Sequence, residues 1–257
     1  MSMYMPKPWN LNPDMMESEY AIFEEACKAQ EMKTRICTGM VALLYEQLLI
    51  LEGSQLPEVY PISDNARARK FLTLVYASSA FLYSSAIMDL AARGRYLESE
   101  CLMRSLLETV AFTEYFNLNE EECLSFFKSR KGIPNNKKVY EFLRNHGQFP
   151  QGGPEKVIAR FHASAHANIF ARMQSWIIRD SKGNFVGLHT HKFDSDSFVR
   201  VLHHLIMPLI GIQQFLYDAF ESRMSTSIEL TAKWQLARNM DLIKKEFPDL
   251  MFRTTTR

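Results

Sequence analysis

The sequence is poor in the residues that break helices. Ten glycines and ten prolines in 257 residues leave long stretches without a turn former, which argues against a fold of many short strands. Cysteine is scarce as well. Cys27, Cys37, Cys101 and Cys123 are widely separated and no Cys-x-x-Cys occurs, so neither a zinc ribbon nor a local redox pair is written. There is no GxxxxGK[ST], no GxGxxG and no GxSxG, which removes the common phosphate-cradling loops and the nucleophile elbow. Charge of one sign is lacking too: 30 basic residues meet 29 acidic ones. A protein that coats nucleic acid broadly carries a clear basic excess; a local basic cleft stays open. Finally, no unbroken apolar run reaches the roughly 18 residues of a bilayer span. Residues Met1 to Trp9 hold no apolar stretch of signal-peptide length. A soluble, cytoplasmic protein without a membrane partner is therefore expected, its cysteines acting as small hydrophobes in a reducing compartment.

What is present reads as helix. Hydrophobic residues make up 47% of the chain, enough to bury a sizeable core, and they recur at helical spacing. Residues 1–13, with Pro6, Pro8 and Pro13, form an extended arm. Asp14 and Glu17 have the spacing of a capping box, and the helix that follows runs to Glu52 and ends at Gly53. A second helix spans about Asp64 to Arg93, with Leu72, Val75, Ser79, Leu82, Ala86 and Leu90 inward. Its middle is crowded with alanine and serine, which permits close helix approach. Gly94 turns it back as an antiparallel hairpin into a third helix. Asn119 and Asn136 open two short helices, Pro154 a longer one. A small β-hairpin is expected near 176–188. Asp194 or Ser195 caps a long apolar helix interrupted by Pro208, and Ser227 starts the last one. No internal repeat and no separating linker is visible. The expectation is all-α: one helical bundle of six to eight helices over 14–246, followed by a loose tail, 247–257.

The third helix carries charge among apolar residues. Arg104 and Glu108 lie four apart, one turn above each other, between Cys101, Leu102, Met103, Leu106 and Leu107. Such a pair is either a half-buried ion pair fixing helix register or the lining of a cleft. Histidine is concentrated further on: all but His146 lie between His162 and His204. His162 and His166, four apart on a helix, point the same way, and His189 and His191 share one face of an extended segment. Together with His203 or His204 they leave a metal-binding alternative open, although Ala163 stands where an HExxH motif has its glutamate. Phe126, Phe127, Tyr140 and Phe142 read as core aromatics. Lys128, Arg130, Lys131, Lys137 and Lys138 form the densest basic segment.

Arg160-Phe-His-Ala-Ser-Ala-His166 has the Arg-x5-His spacing of a motif found late in the helical bundles of the HEPN superfamily, which this chain resembles. Phe161 departs from the polar residue usual after the arginine. Ser99-Glu-Cys-Leu-Met-Arg-Ser-Leu-Leu-Glu108 and Ala163-Ser-Ala-His-Ala167 resemble the paired motifs of uncharacterised bacterial helical proteins grouped as HEPN-like, over about residues 65–220. The resemblance implies RNA as partner and metal-independent RNA cleavage or RNA binding in a bacterial toxin or defence setting. It implies site residues Arg104, Glu108, Arg160, His162 and His166, with no cofactor. The competing expectation is a non-enzymatic helical module that forms homo-oligomers or binds a partner protein, for which 14 methionines supply adaptable apolar surface.

Overall fold

The structure, a computed structural model, describes residues 28–59, 61–128, 134–146, 194–220 and 240–248, with residues 21, 24–26 and 182, and of 52–59, 177–179 and 185–188 the backbone. The fold is all-α, with one small hairpin. Helix α1 is Glu31–Val59, α2 Asn65–Ala92, α3 Tyr96–Leu118, α4 Glu120–Lys128 and α5 Asn136–Asn145. Strands β1, Ile177–Arg179, and β2, Phe185–Leu188, follow, and then helix α6, Ser195–Phe220. The strands pair antiparallel, Ile177 opposite Leu188 and Ile178 opposite Gly187, with a register irregularity before Arg179. The extended arm, the Pro154 helix, the start of the helix expected from Ser227 and the 249–257 part of the tail lie outside the described residues.

Local chemistry sets several boundaries. Asp64 accepts from the Arg67 amide at 2.8 Å and caps α2, and Asn135 accepts from the Lys138 amide at 2.8 Å and caps α5. Asp194 accepts from the Ser197 amide at 3.1 Å at the start of α6, where its own carbonyl takes the Phe198 amide. Each pairs a donor that the first helical turn would otherwise leave unmade. One expected boundary is wrong: α1 runs through Gly53 to Val59. An interior glycine costs a helix about 1 kcal/mol, which the rest of a long helix outweighs.

Helix α2 lies against α1, α3, α4 and α6. It reverses after Ala92 at Gly94, whose φ of 72° favours glycine, so α2 and α3 run antiparallel. Ser99 Oγ at the start of α3 donates to the Ile87 carbonyl of α2 at 3.1 Å. Helices α1 and α6 run parallel. Gln30 Nε2 meets Ser195 Oγ at 3.3 Å, Cys37 Sγ faces the Leu202 carbonyl at 3.7 Å, and Gln213 Nε2 donates to the Met40 carbonyl at 2.8 Å. The Asp194 amide donates to Tyr96 Oη at 3.0 Å, tying the start of α6 to the start of α3. Two apolar clusters result. One joins α1, α2, the first half of α3 and α6 with Ile243 and Phe247. The other joins the start of α2, the end of α3, α4 and α5. The second includes Tyr140, with Phe126, Phe127 and Phe142 packed against it, so these aromatics are core residues as expected.

The inward stripe assigned to α2 is corrected. Its buried residues are Ala68, Leu72, Thr73, Leu74, Ala77, Ala80, Ser84, Ile87, Ala91 and Ala92. Val75 and Leu82 are 44% and 65% exposed. From Phe71 to Met88 no residue is charged, so the pattern offers no polar side by which to orient the helix. The helix turns most of its alanines inward together with Leu72, Leu74 and Ile87, and turns Val75 and Leu82 outward.

The expected cytoplasmic localisation is overturned as well. Glu31–Leu51 of α1, all of α2 and all of α6 are long and apolar enough to cross a membrane by length and composition. Counting unbroken apolar runs misses this because serine and threonine interrupt the run in α2, Glu46 and Gln47 that in α1, and His203, His204, Gln213 and Gln214 that in α6. In α2 three of those hydroxyls are satisfied by the helix itself: Thr73, Ser79 and Ser84 donate to the carbonyls of Arg69, Val75 and Ala80 at 3.0, 3.0 and 2.6 Å. A hydroxyl bonded back to its own helix removes much of its cost in apolar surroundings.

Two glycines should respond oppositely to alanine. Gly94→Ala forces a Cβ into the left-handed region and should destabilise by about 1–2 kcal/mol. At Gly211 an added Cβ would meet Val110 Cγ1 at 3.6 Å, an ordinary contact, and Gly211→Ala should stabilise by about 0.5–1 kcal/mol. Denaturant unfolding of both variants checks the signs.

Candidate functional site

Helix α3 carries the candidate charges, and it is covered along its length: no residue from Tyr96 to Asn117 is exposed. Met103, Leu106, Phe112 and Phe116 are buried and hold its apolar sides against the two clusters. This leaves the side of Glu100, Arg104 and Glu108, at i, i+4 and i+8, half-buried. Arg104 Nε donates to Glu108 Oε1 at 3.0 Å, with side chains 21% and 24% exposed. Asn136 Nδ2, in the first turn of α5, donates to the same oxygen at 3.3 Å. Glu108 thus joins two helices, and the guanidinium is held by its Nε edge. Other described ion pairs lie near helix ends or on short helices: Arg93 with Asp89, Arg69 with Glu120, Lys33 with Glu246, Lys138 with Glu122. Arg104–Glu108 stands apart from these, in mid-helix.

A second polar cluster closes the far end of α3. Tyr115 Oη donates to Glu122 Oε2 at 2.5 Å, and Asn119 Nδ2 donates to Tyr115 Oη at 3.2 Å. Lys138 Nζ binds both Glu122 oxygens at 2.8 and 2.7 Å. Asn119 and Glu122 have the spacing of a capping box but are used differently. The Asn119 carbonyl accepts the Glu122 amide, while both side chains turn to Tyr115. The Lys138 ammonium, and then the Tyr115 hydroxyl, hold the Glu122 carboxyl below its ordinary range. Glu122 in turn raises Lys138. Burial, reinforced by the bond to Glu122, raises the Tyr115 phenol. Each member has its complement, which makes this a clasp among α3, α4 and α5.

Of the expected site residues, the structure brings Arg104 and Glu108 together. Arg160, His162 and His166 lie outside the described residues, as do His189 and His191. His203 and His204 sit side by side on α6, ring centroids 6.2 Å apart. Among the described residues no group of three or more His, Cys, Asp or Glu side chains is gathered closely enough to hold a metal ion. Sequence reasoning missed Asn136, whose link to Glu108 spans 28 positions and leaves no local signal. It missed the clasp too, though Tyr115, Asn119 and Glu122 stand at i, i+4 and i+7.

The clasp should show as acid sensitivity. Glu122 has a depressed folded-state pKa, so its contribution is present above the ordinary glutamate value and is lost as pH falls through the folded one. Lys138 has a raised pKa, so its contribution is present below the ordinary lysine value and lost as pH rises through the folded one. Melting temperature followed from about pH 6 down to about pH 3 should fall less steeply in Glu122→Gln than in the parent chain. No family model, no curated protein and no solved structure matches this chain.

Proposed function

We propose that this chain acts on RNA, with Arg104 and Glu108 as the phosphate-recognising half of the site. The observation behind this reading is the mid-helix ion pair itself. Charges held among apolar residues are costly, so a half-buried pair in mid-helix calls for a role that repays the cost. A guanidinium fixed through Nε keeps a defined plane, the condition for bidentate recognition of a phosphodiester. Glu108, anchored in turn by Asn136, positions that plane. The proton-transfer half rests on the resemblance of the Arg160–His166 segment to HEPN proteins. There a histidine near neutral pKa takes the proton of the 2′-hydroxyl as its oxygen attacks phosphorus and the 5′-oxygen leaves.

A second reading, an association module without catalysis, is supported by the large apolar side chains that α1 and α2 turn outward.

Single-stranded RNA oligonucleotides test the first reading. His166→Ala should lower the cleavage rate by about 10²–10⁴-fold with the helical circular dichroism unchanged. Arg104→Lys, which keeps charge and removes the fork, should weaken RNA binding in fluorescence anisotropy. Cleavage unaltered in His166→Ala would count the reading out.

A further inference from the structure

We propose that the outer face of the α1–α2 pair lies in the hydrocarbon of a lipid bilayer. Tyr45 and Leu49 on α1, and Val75 and Leu82 on α2, are exposed large apolar side chains. They belong to two stripes at helical spacing: Thr38, Ala42, Tyr45 and Leu49 on one helix, Val75, Ser79, Leu82 and Ala86 on the other. The rings of Tyr45 and Phe81 stack at 5.1 Å and join the stripes into one face.

For a helix in water part of this arrangement is inverted. Leu72, Leu74 and Ile87 are buried as water would have them, but Ala77, Ala80 and Ala91 are wholly buried while Val75 and Leu82 face out. Lipid tails are as apolar as leucine, so a helix in a bilayer gains little by burying its large residues in protein. Its small residues go to the helix contacts, where backbones approach closely. Polarity agrees. Between Phe71 and Met88 α2 has no charge, a length of about 27 Å at ~1.5 Å per residue, close to the ~30 Å hydrocarbon core. Arg67, Arg69 and Lys70 stand before that stretch and Asp89 and Arg93 after it. The hydroxyl of Ser79, on the stripe itself, is bonded within its own helix. Glu46, exposed, stands one residue off the α1 stripe, at its margin.

A second copy of the chain would cover the same face. Lipid accounts for more. The three helices of spanning length and composition pack pairwise against one another, which a two-helix docking patch does not require.

Two measurements on the full chain test the assignment: retention in the membrane fraction through an alkaline carbonate wash, and flotation of purified chain with phosphatidylcholine–phosphatidylglycerol vesicles. The expected result is retention through the wash, release by detergent, and flotation. Leu82→Lys alters a position already exposed, so the fold should survive, as circular dichroism in detergent would show. Its vesicle-bound fraction should fall on the order of tenfold or more. Release by carbonate as a soluble monomer that does not float overturns the proposal. So does flotation that Leu82→Lys leaves unchanged. A detergent-free soluble dimer that Leu82→Lys turns into monomers assigns the face to a second copy and overturns it equally.

Discussion

Helix α2 touches four other helices, and it can do so because the residues at its contacts are small. Ala68, Ala77, Ala80, Ser84 and Ala91 let neighbouring backbones come near on several sides, close enough for Ser99 of α3 to reach the Ile87 carbonyl. Larger residues at these positions would push α1, α3 and α6 outward and open both apolar clusters, since interiors packed to crystal density do not absorb even a methylene without strain. Leu72, Leu74 and Ile87 still pack into the bundle, and Val75 and Leu82 are left with one direction, away from it. The crowded interior and the apolar exterior are two results of a single choice of residue size.

Helix α3 answers a different demand. None of its residues from Tyr96 to Asn117 is exposed, yet it carries Glu100, Arg104, Glu108 and Glu114 half-buried, so its charge is largely matched within the protein. Arg104 and Glu108 match each other, and Asn136 supplies a further donor to the carboxylate. At the end of the same helix Glu122 and Lys138 repeat the solution around Tyr115. Both arrangements draw on α5, a helix of 10 residues whose first turn supplies Asn136 and Lys138 and whose Val139, Tyr140 and Leu143 are buried against α3. One short amphipathic helix therefore seals an apolar seam and completes two polar networks.

Much of this is readable from local chemistry. Asp64, Asn135 and Asp194 announce their helices because a side-chain oxygen is needed at a fixed offset from an unmade amide bond. The Arg104–Glu108 pair is legible for the same reason, its spacing being one helical turn. The orientation of α2 is not. Periodicity marks a stripe through Val75 and Leu82, but without charges from Phe71 to Met88 nothing says which side faces protein, and residue size, decided by neighbours far off in sequence, settles it. Asn136 and Lys138 escape for a related reason, since their partners are set by how α5 docks. The apolar length of α2 is hidden by hydroxyl groups, whose polarity is cancelled by bonds that exist only once the helix has formed.

The bonds at the start of α6 bear on the order in which the chain can assemble. Ser195 meets Gln30 across 165 positions and Asp194 meets Tyr96 across 98, whereas α2 and α3 need only the turn at Gly94. Loop-closure entropy makes the hairpin the cheap early event and the docking of α6 a late one. During synthesis on the ribosome, α1 must wait with the side that will receive Leu202 and Gln213 uncovered until more than 150 further residues have been added. Nascent chains of this protein should therefore be most in need of chaperone shelter in that interval.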